Sequence, residues 1–297
     1  MVFCTKGDFF MAEGKRFALI SDIHGNYKAL EAFFAYIEKK KVDGIICLGD
    51  YVTDSPYPQR TLAMLYDMQE KYPCEMVRGN REEYLIDNFY SPKGWKPSSA
   101  NGALYYTAQH VTEEDIRFFE SLPSVKKLTF SGCPPTLLCH GTPSDIRGNV
   151  MENPALKEEA LRRLEEDYLF GGHDHHQELC SMFGKTYLNP GSLGFAIDGR
   201  GRHAQFAMLE TKETGGKINY QAELVSIPYD VDSFLKDFTE AGLDECGMVL
   251  NRGIKKTLTT GINYFYMAVC EAVRISGKPT MEIPEAVWNR AAERLGI

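Results

Sequence analysis

The sequence predicts an α/β fold built on two sheets and followed by a helical extension, and three observations predict it. Apolar runs of strand length alternate with amphipathic helices from Arg16 onward, most of these runs end at a polar or metal-ligating residue, and beyond Pro228 only helical patterns remain. With 297 residues, 43% hydrophobic and 25% charged, the chain has the composition of a globular protein able to bury a large core, in one large domain or two small ones.

Residues 16–21 (RFALIS) read as the first strand, ending at Asp22 with His24 two positions on. Leu30, Phe33, Phe34 and Ile37 recur at i, i+3, i+4, i+7 and mark a helix that ends in Lys39, Lys40 and Lys41, cations that suit the helix dipole. The strand over residues 44–48 ends at Gly49-Asp50, a helix follows over about residues 59–71, and a third strand over 75–78 ends at Gly79-Asn80. Open α/β sheets place their binding sites at the carboxyl ends of strands, so Asp22, His24, Asp50 and Asn80 are expected along one edge of one sheet.

A helical stretch over about residues 100–120 contains the capping-box pattern Thr112-x-x-Asp115. Residues 125–130 and 136–139 read as strands joined by a Gly/Pro turn, the second ending at His140-Gly141. Asn153-Pro154 opens another helix, which delivers the chain to Tyr168-Leu169-Phe170 and the loop Gly171-Gly172-His173-Asp174-His175-His176. Residues 185–188, 203–210 and 218–225 are expected to form the second sheet, with 189–192 as a turn. In the extension, residues 261–275 are apolar on nearly every face, which predicts burial against the main domain or a second subunit. That segment is too short for a membrane span and carries Glu271 and Arg274.

The net charge of -8 argues against a nucleic-acid polymer as partner, so an anionic substrate has to be drawn by a local charge such as a metal cluster. Eight cysteines (Cys4, Cys47, Cys74, Cys133, Cys139, Cys180, Cys246, Cys270) contain no CxxC pair and read as reduced, buried thiols. The opening MVFCTKGDFFMAEGK has no long apolar core behind a basic start, so residues 1–15 read as a loose leader and the expected location is cytoplasmic, with no membrane association.

Taken together, the strand-end motifs are SDIHGN at 21–26, GD at 49–50, GN at 79–80, HG at 140–141 and GHDH at 172–175. This ordered set resembles the calcineurin-like metallophosphoesterases, and the string from SDIHGNYKAL to NPGSLG is similar to the small bacterial phosphodiesterase branch of that superfamily, over about residues 16–228. The resemblance implies a four-layer αββα sandwich of two mixed sheets, with residues 229–297 as a helical extension. It also implies a site for two divalent metal ions: Asp22, His24, Asp50 and His175 around the first, and Asp50, Asn80, His140 and His173 around the second, with Asp50 as the bridge. Two ions roughly 3.5–4 Å apart need a shared anionic ligand. The mixed nitrogen and oxygen donors suit Mn first, with Fe, Zn, Ni or Co also compatible.

Two carboxylates against two dications leave a formal charge of +2, which a metal-bridging hydroxide and one phosphodiester anion would neutralise, with the hydroxide attacking in line. Asp174 and His176 alternate away from the ligand positions and are expected in supporting or surface roles, and Cys139 should face away from His140. His110 and His203 show no partner pattern.

One position departs from the family pattern. Relatives with strong phosphomonoesterase or protein-phosphatase activity carry a histidine after the Gly-Asn, thought to protonate the leaving group; here Arg81 follows Asn80. An arginine can hold a phosphate oxygen but gives up no proton, so Arg81 is a candidate for charge stabilisation, the alternative being an ion pair with Glu82 or Glu83. Arg147 is a second candidate phosphate contact. Tyr51, Tyr57, Trp95, Tyr105 and Tyr106 are expected on loops near the site, either stacking a nucleobase or packing the rim.

The expected activity is hydrolysis of phosphodiester or nucleotide phosphoanhydride bonds in a small phosphorylated substrate, with Asp50, Asn80 and Arg81 in the reaction. A phosphomonoesterase or protein phosphatase, and a non-catalytic scaffold of the same fold, are the alternatives. The extension is expected to pack back on the sandwich or to form a homodimer contact.

Overall fold

The computed structural model describes residues 14–297. The expected leader, apart from Gly14 and Lys15, lies outside the described residues, as does Cys4. Lys15 is tied down, its amide donating to Thr211 Oγ1 at 2.9 Å.

The first half of the chain alternates strand and helix: β1 (Arg16–Ile20), α1 (Tyr27–Lys40), β2 (Gly44–Cys47), α2 (Pro58–Lys71), β3 (Cys74–Met76), α3 (Asn80–Tyr90), α4 (Gly102–Ala108) and α5 (Glu113–Ser121). Then follow β4 (Val125–Lys127), β5 (Thr136–Cys139), α6 (Pro154–Arg163), β6 (Tyr168–Phe170), β7 (Gln177–Met182), β8 (Lys185–Pro190), β9 (His203–Thr214) and β10 (Lys217–Pro228). The extension is α7 (Val231–Glu240), α8 (Leu243–Thr260), α9 (Tyr264–Ser276) and α10 (Glu285–Leu295). Local chemistry sets several helix starts. Asn26 accepts from the Ala29 amide at 3.0 Å to open α1, and Thr112 and Asp115 form the expected capping box on α5.

The ten strands form two mixed five-stranded sheets, ordered β10-β9-β1-β2-β3 and β4-β5-β6-β8-β7. β1, β2 and β3 run parallel, as do β5, β6 and β8. The layering follows from strand periodicity, visible along β1. Phe17 and Leu19 join Leu138, Phe170 and Leu188 of the other sheet in a core between the sheets. Ala18 and Ile20 point the other way, into the core under α1, α2, α3 and α5. On the outer face of the second sheet, α6 supplies Leu161 over Leu169 and Tyr187. The result is the αββα sandwich.

The membership of the sheets differs from the sequence reading. β9 and β10 do not join β8 in a second sheet; β9 pairs antiparallel with β1, from Arg16↔Glu210 to Leu19↔Ala207, and widens the first sheet. β8 instead extends the second sheet beside β6, running through Pro190 where a turn was expected. β7 and α3 were not anticipated. α3 buries only Asn80, Glu82 and Leu85, too few apolar positions to leave a helical period in the sequence.

The extension packs on the sandwich through Phe234, Phe238, Leu243, Ile254 and Leu258 against Tyr27 and Tyr106. α9 is not buried on every face as its composition suggested. It covers only Ala268 and Ala272, against α8 and α10, while Tyr266, Met267 and Val273 stay exposed. None of the seven cysteines among the described residues is paired; Cys47 and Cys139 are buried, but Cys270 is exposed, against the expectation of uniform burial. Among the described residues no helix is long and apolar enough to cross a membrane.

Candidate metal centre

The loops leaving β1, β2, β3, β5 and β6 meet at one end of the sandwich. Backbone bonds first join them within each sheet: the Asp22 amide donates to Gly49 O at 3.0 Å, His24 N to Asp50 O at 2.9 Å, and Gly172 N to His140 O at 2.7 Å. The His173 amide then ties the sheets together, donating to Asp22 Oδ2 at 3.0 Å. Two motif glycines are needed for this approach. A side chain at Gly79 would collide with the Asp50 carboxylate, and one at Gly172 with Ser21 Oγ.

Asp22, His24, Asp50, His173 and His175 all hold positive φ between 47° and 68°. A non-glycine residue in this region costs about 1–3 kcal/mol, so five of them around one point are strain that the surrounding structure has to overcome.

Three imidazoles aim their Nε2 atoms at the two carboxylates. His175 Nε2 is 3.0 Å from His24 Nε2 and 3.3 Å from Asp22 Oδ1. His140 Nε2 is 3.4 Å from Asp50 Oδ2 and 3.1 Å from Asn80 Oδ1. Asp50 Oδ2 stands between the two sets, 3.6 Å from His24 Nε2. Each ring is anchored on its other side: His24 Nδ1 to Asp54 Oδ2 at 3.1 Å, His140 Nδ1 to Leu48 O at 2.7 Å, His175 Nδ1 to Phe195 O at 2.8 Å.

With Nδ1–H donated outward, each neutral ring turns the lone pair of Nε2 inward. Lone pairs of His24 and His175 then face one another and Asp22 Oδ1, a buried oxygen with no hydrogen-bond partner. Ligand atoms about 2.1 Å from one ion stand about 3.0 Å apart at octahedral angles and about 3.4 Å apart at tetrahedral ones. The observed separations fall close to this range, so the residues present fit a divalent cation. Two three-residue groups are close enough to hold one: Asp22, His24 and His175, and Asp22, Asp50 and His140. The ring of His173 belongs to neither; it lines the same pocket, edge-on to His140 with centroids 5.2 Å apart.

The electrostatics agree. Burial works to raise the pKa of Asp22 and Asp50, but His175 and His140 at the first, and His140 and His24 at the second, hold both well below the usual carboxylate range. Burial likewise opposes protonation of His24 and His140, yet the carboxylates raise them to about 9 and about 10. His173, desolvated and beside His140, is lowered to about 4. Protons and a dication therefore compete for one buried, carboxylate-rich centre.

Arg81 leads into the pocket from the first turn of α3. Its backbone amide donates to Asp50 Oδ1 at 2.9 Å, its Nη2 lies 3.1 Å from Asp54 Oδ2 and its Nε 3.8 Å from Asp50 Oδ2. It pairs with neither Glu82 nor Glu83. Glu82 instead accepts from the amides of Gly79, Asp50 and Tyr51 at 2.7, 2.9 and 2.8 Å, and Glu83 pairs with Arg147 at 3.3 Å. Arg147 also donates to Tyr84 Oη at 3.2 Å and reaches the pocket rim.

Asp54 and Glu82 carry much of this arrangement and were not singled out from the sequence, because each acts on backbone or side-chain groups of other loops. Asp174 is not at the surface; it is buried in the pocket wall, where desolvation and Asp22 raise it to about 7. Cys139 does face away from His140, into the α6 side of the second sheet.

The five aromatics expected near the site do not line the pocket. Tyr51 is fully buried with its hydroxyl donating to Val77 O at 2.6 Å, Tyr106 is buried under the extension, and Tyr57 lies beneath Arg60. Trp95 packs against the core on the α1/α2 side, and Tyr105 is likewise absent from the pocket wall.

Residues 16–214 match the family model of the calcineurin-like phosphoesterase superfamily domain. The chain is 24% identical over 247 residues to the uncharacterized protein MJ0912 of Methanocaldococcus jannaschii, covering 77% of this chain and 93% of that one. Among solved structures, the hypothetical protein PH1004 from Pyrococcus horikoshii OT3 superimposes with a TM-score of 0.68 at 19% identity, over 83% of this chain and 98% of the other. A metallophosphoesterase from Sphaerobacter thermophilus gives 0.64 at 23% identity, over 83% and 100%.

Proposed function

We propose that this chain, which belongs to the calcineurin-like phosphoesterase superfamily, is a divalent-metal-dependent hydrolase of phosphodiester or nucleotide phosphoanhydride bonds. The observation that carries the reading is the convergence of three outward-anchored imidazoles on Asp22 and Asp50, with Asp22 Oδ1 left without a hydrogen-bond donor.

In this reading Asp22, His24, Asp50 and His175 hold one ion and Asp50, Asn80, His140 and His173 a second, with Mn the preferred metal. When bound, the ions supply Lewis-acid stabilisation of phosphoryl charge and lower the pKa of a water. The chain's own residues do the rest. Asp50 separates the two histidine sets. Asn80, at the start of α3, presents its Oδ1 towards His140 and lies at the pocket wall.

Arg81, fixed by Asp54 and Asp50, offers charge and hydrogen bonds to a phosphate oxygen but cannot protonate a leaving group. That favours substrates whose leaving groups need little protonation: activated diesters, nucleotide phosphoanhydrides or cyclic phosphates. Rates on bis-p-nitrophenyl phosphate and p-nitrophenyl phosphate, with Mn²⁺ and with chelator, test this. The reading expects metal-dependent turnover with the larger kcat/KM on the diester; preference for the monoester would favour a phosphomonoesterase.

A further inference from the structure

The pocket over the cluster has a volume of about 480 Å³. That is more than a phosphate group fills and is within the range that takes a whole small ligand. Its two sides differ in chemistry. One side is charged, with Asp50, Asp54, Arg81 and the histidines. The other is apolar and is shared between the family domain, with Phe195 and Ile197 after β8, and the extension, with Ile254 of α8 and Phe265 and Tyr266 of α9.

The aromatic rings of this second side run outward from the cluster in edge-on contact. His175 and Phe195 stand 5.6 Å apart at 89°, and Phe195 and Phe265 6.2 Å apart at 90°. Tyr266 is 47% exposed although it sits in a concavity. At the head of α9 the Asn263 carboxamide is oriented by the Tyr266 amide, which donates to its Oδ1 at 3.0 Å.

We infer that the helical extension builds a subsite for a flat aromatic ring, a nucleobase or an aryl group, on the organic part of a phosphoester whose phosphate lies on the metal centre; Phe265 and Tyr266 are its specificity-determining residues. The inference rests on the phosphoesterase reading. A phosphoester held at its charged end by Arg81 and the cluster must lay its remainder along the opposite wall. Water covers that wall poorly, whereas a planar ring gains contact with aromatic faces and edges. The Asn263 amide stands beside this wall to meet polar atoms on the ring's rim.

Calorimetric titration of the Mn-loaded full-length protein with inorganic phosphate, ribose 5-phosphate, phenyl phosphate and adenosine 5′-monophosphate tests the inference. At least one of the two aromatic ligands is expected to bind about tenfold or more tighter than ribose 5-phosphate. Tyr266→Ala and Phe265→Leu should each remove most of that advantage and leave phosphate binding unchanged; the first truncates an exposed ring, and the second keeps a packed side chain. An advantage for both aromatic ligands supports a general aryl site, and one for the nucleotide alone supports a nucleobase site. Equal affinity for all three organic phosphates, or an advantage that neither variant reduces, overturns the subsite while leaving the phosphoesterase reading intact. Failure of phosphate itself to bind, together with absent metal-dependent hydrolysis, overturns that reading and the subsite with it.

Discussion

The Arg81 guanidinium stands 3.1 Å from Asp54 Oδ2, and the same oxygen accepts the Nδ1 proton of His24 at 3.1 Å. One carboxylate thus orients both a cationic side chain at the pocket wall and an imidazole of the cluster. Burial opposes its ionisation, but Arg81 and His24 prevail and hold Asp54 down at about 2, so it stays charged throughout the physiological range. Arg81 is therefore held in place before any substrate arrives.

Arg81→Ala should lower kcat/KM for bis-p-nitrophenyl phosphate by about 10²-fold, the usual scale for losing one oriented donor to a charged transition state. Steady-state kinetics at saturating Mn²⁺ checks it. An unchanged kcat/KM would reduce Arg81 to a structural ion pair.

Asp54→Ala should act through His24 and not on phosphate directly. Loss of the group that orients a ligating histidine weakens metal affinity by about 10–100-fold. Metal titration by calorimetry should show that loss, with turnover recovering at high Mn²⁺ if Arg81 keeps its place; wild-type affinity would contradict the positioning role.

Glu82 is the buried fastener between β2, β3 and α3, accepting three backbone amides. Glu82→Ala leaves those donors without a partner, at about 1–3 kcal/mol each. Urea unfolding should show a loss of about 3 kcal/mol or more, and a loss below about 1 kcal/mol would refute this account.

The pH dependence has a definite sign. His24 and His140 rise from 6.5 to about 9 and about 10, so their contribution to stability is complete below pH 6.5 and is lost as pH climbs through those values. Glu82 and Asp174, both raised to about 7, favour their protonated forms and add to the same slope. Asp22 and Asp50 are lowered, so theirs is complete above 3.8 and lost as pH falls through their folded values. In chelator, Tm should therefore fall from pH 6.5 towards 10. Divalent metal displaces those protons, so the Tm increase on adding Mn²⁺ should grow with pH. Melting curves at several pH values check both, and a metal effect that shrinks with rising pH would contradict them.

Where the candidate residues would surface was legible in the sequence because parallel strands end in short local motifs: Asp22, His24, Asp50, Asn80, His140, His173 and His175 each follow a strand that can be recognised by itself. What depends on contacts between distant segments was not. β9 and β10 look the same whichever sheet they join, since the pairing of β9 with β1, and of β10 with β9, is set by register and not by composition. Asp54 and Glu82 carry no pattern, because their partners are a ring nitrogen and backbone amides of other loops. The aromatics near the motifs, such as Tyr51, went into the core, while Phe265 and Tyr266 reach the pocket from the extension, where only the packing of α9 on α8 places them.

The most direct test of the central claim is turnover of bis-p-nitrophenyl phosphate by the Mn-loaded protein beside its Asp50→Asn variant. Asp50 lies between the two histidine sets, and removing its charge should cost about 10²-fold or more in kcat while the fold, read by circular dichroism, is kept. Equal rates for the two proteins would contradict catalysis at this centre and leave a non-catalytic protein of the same fold.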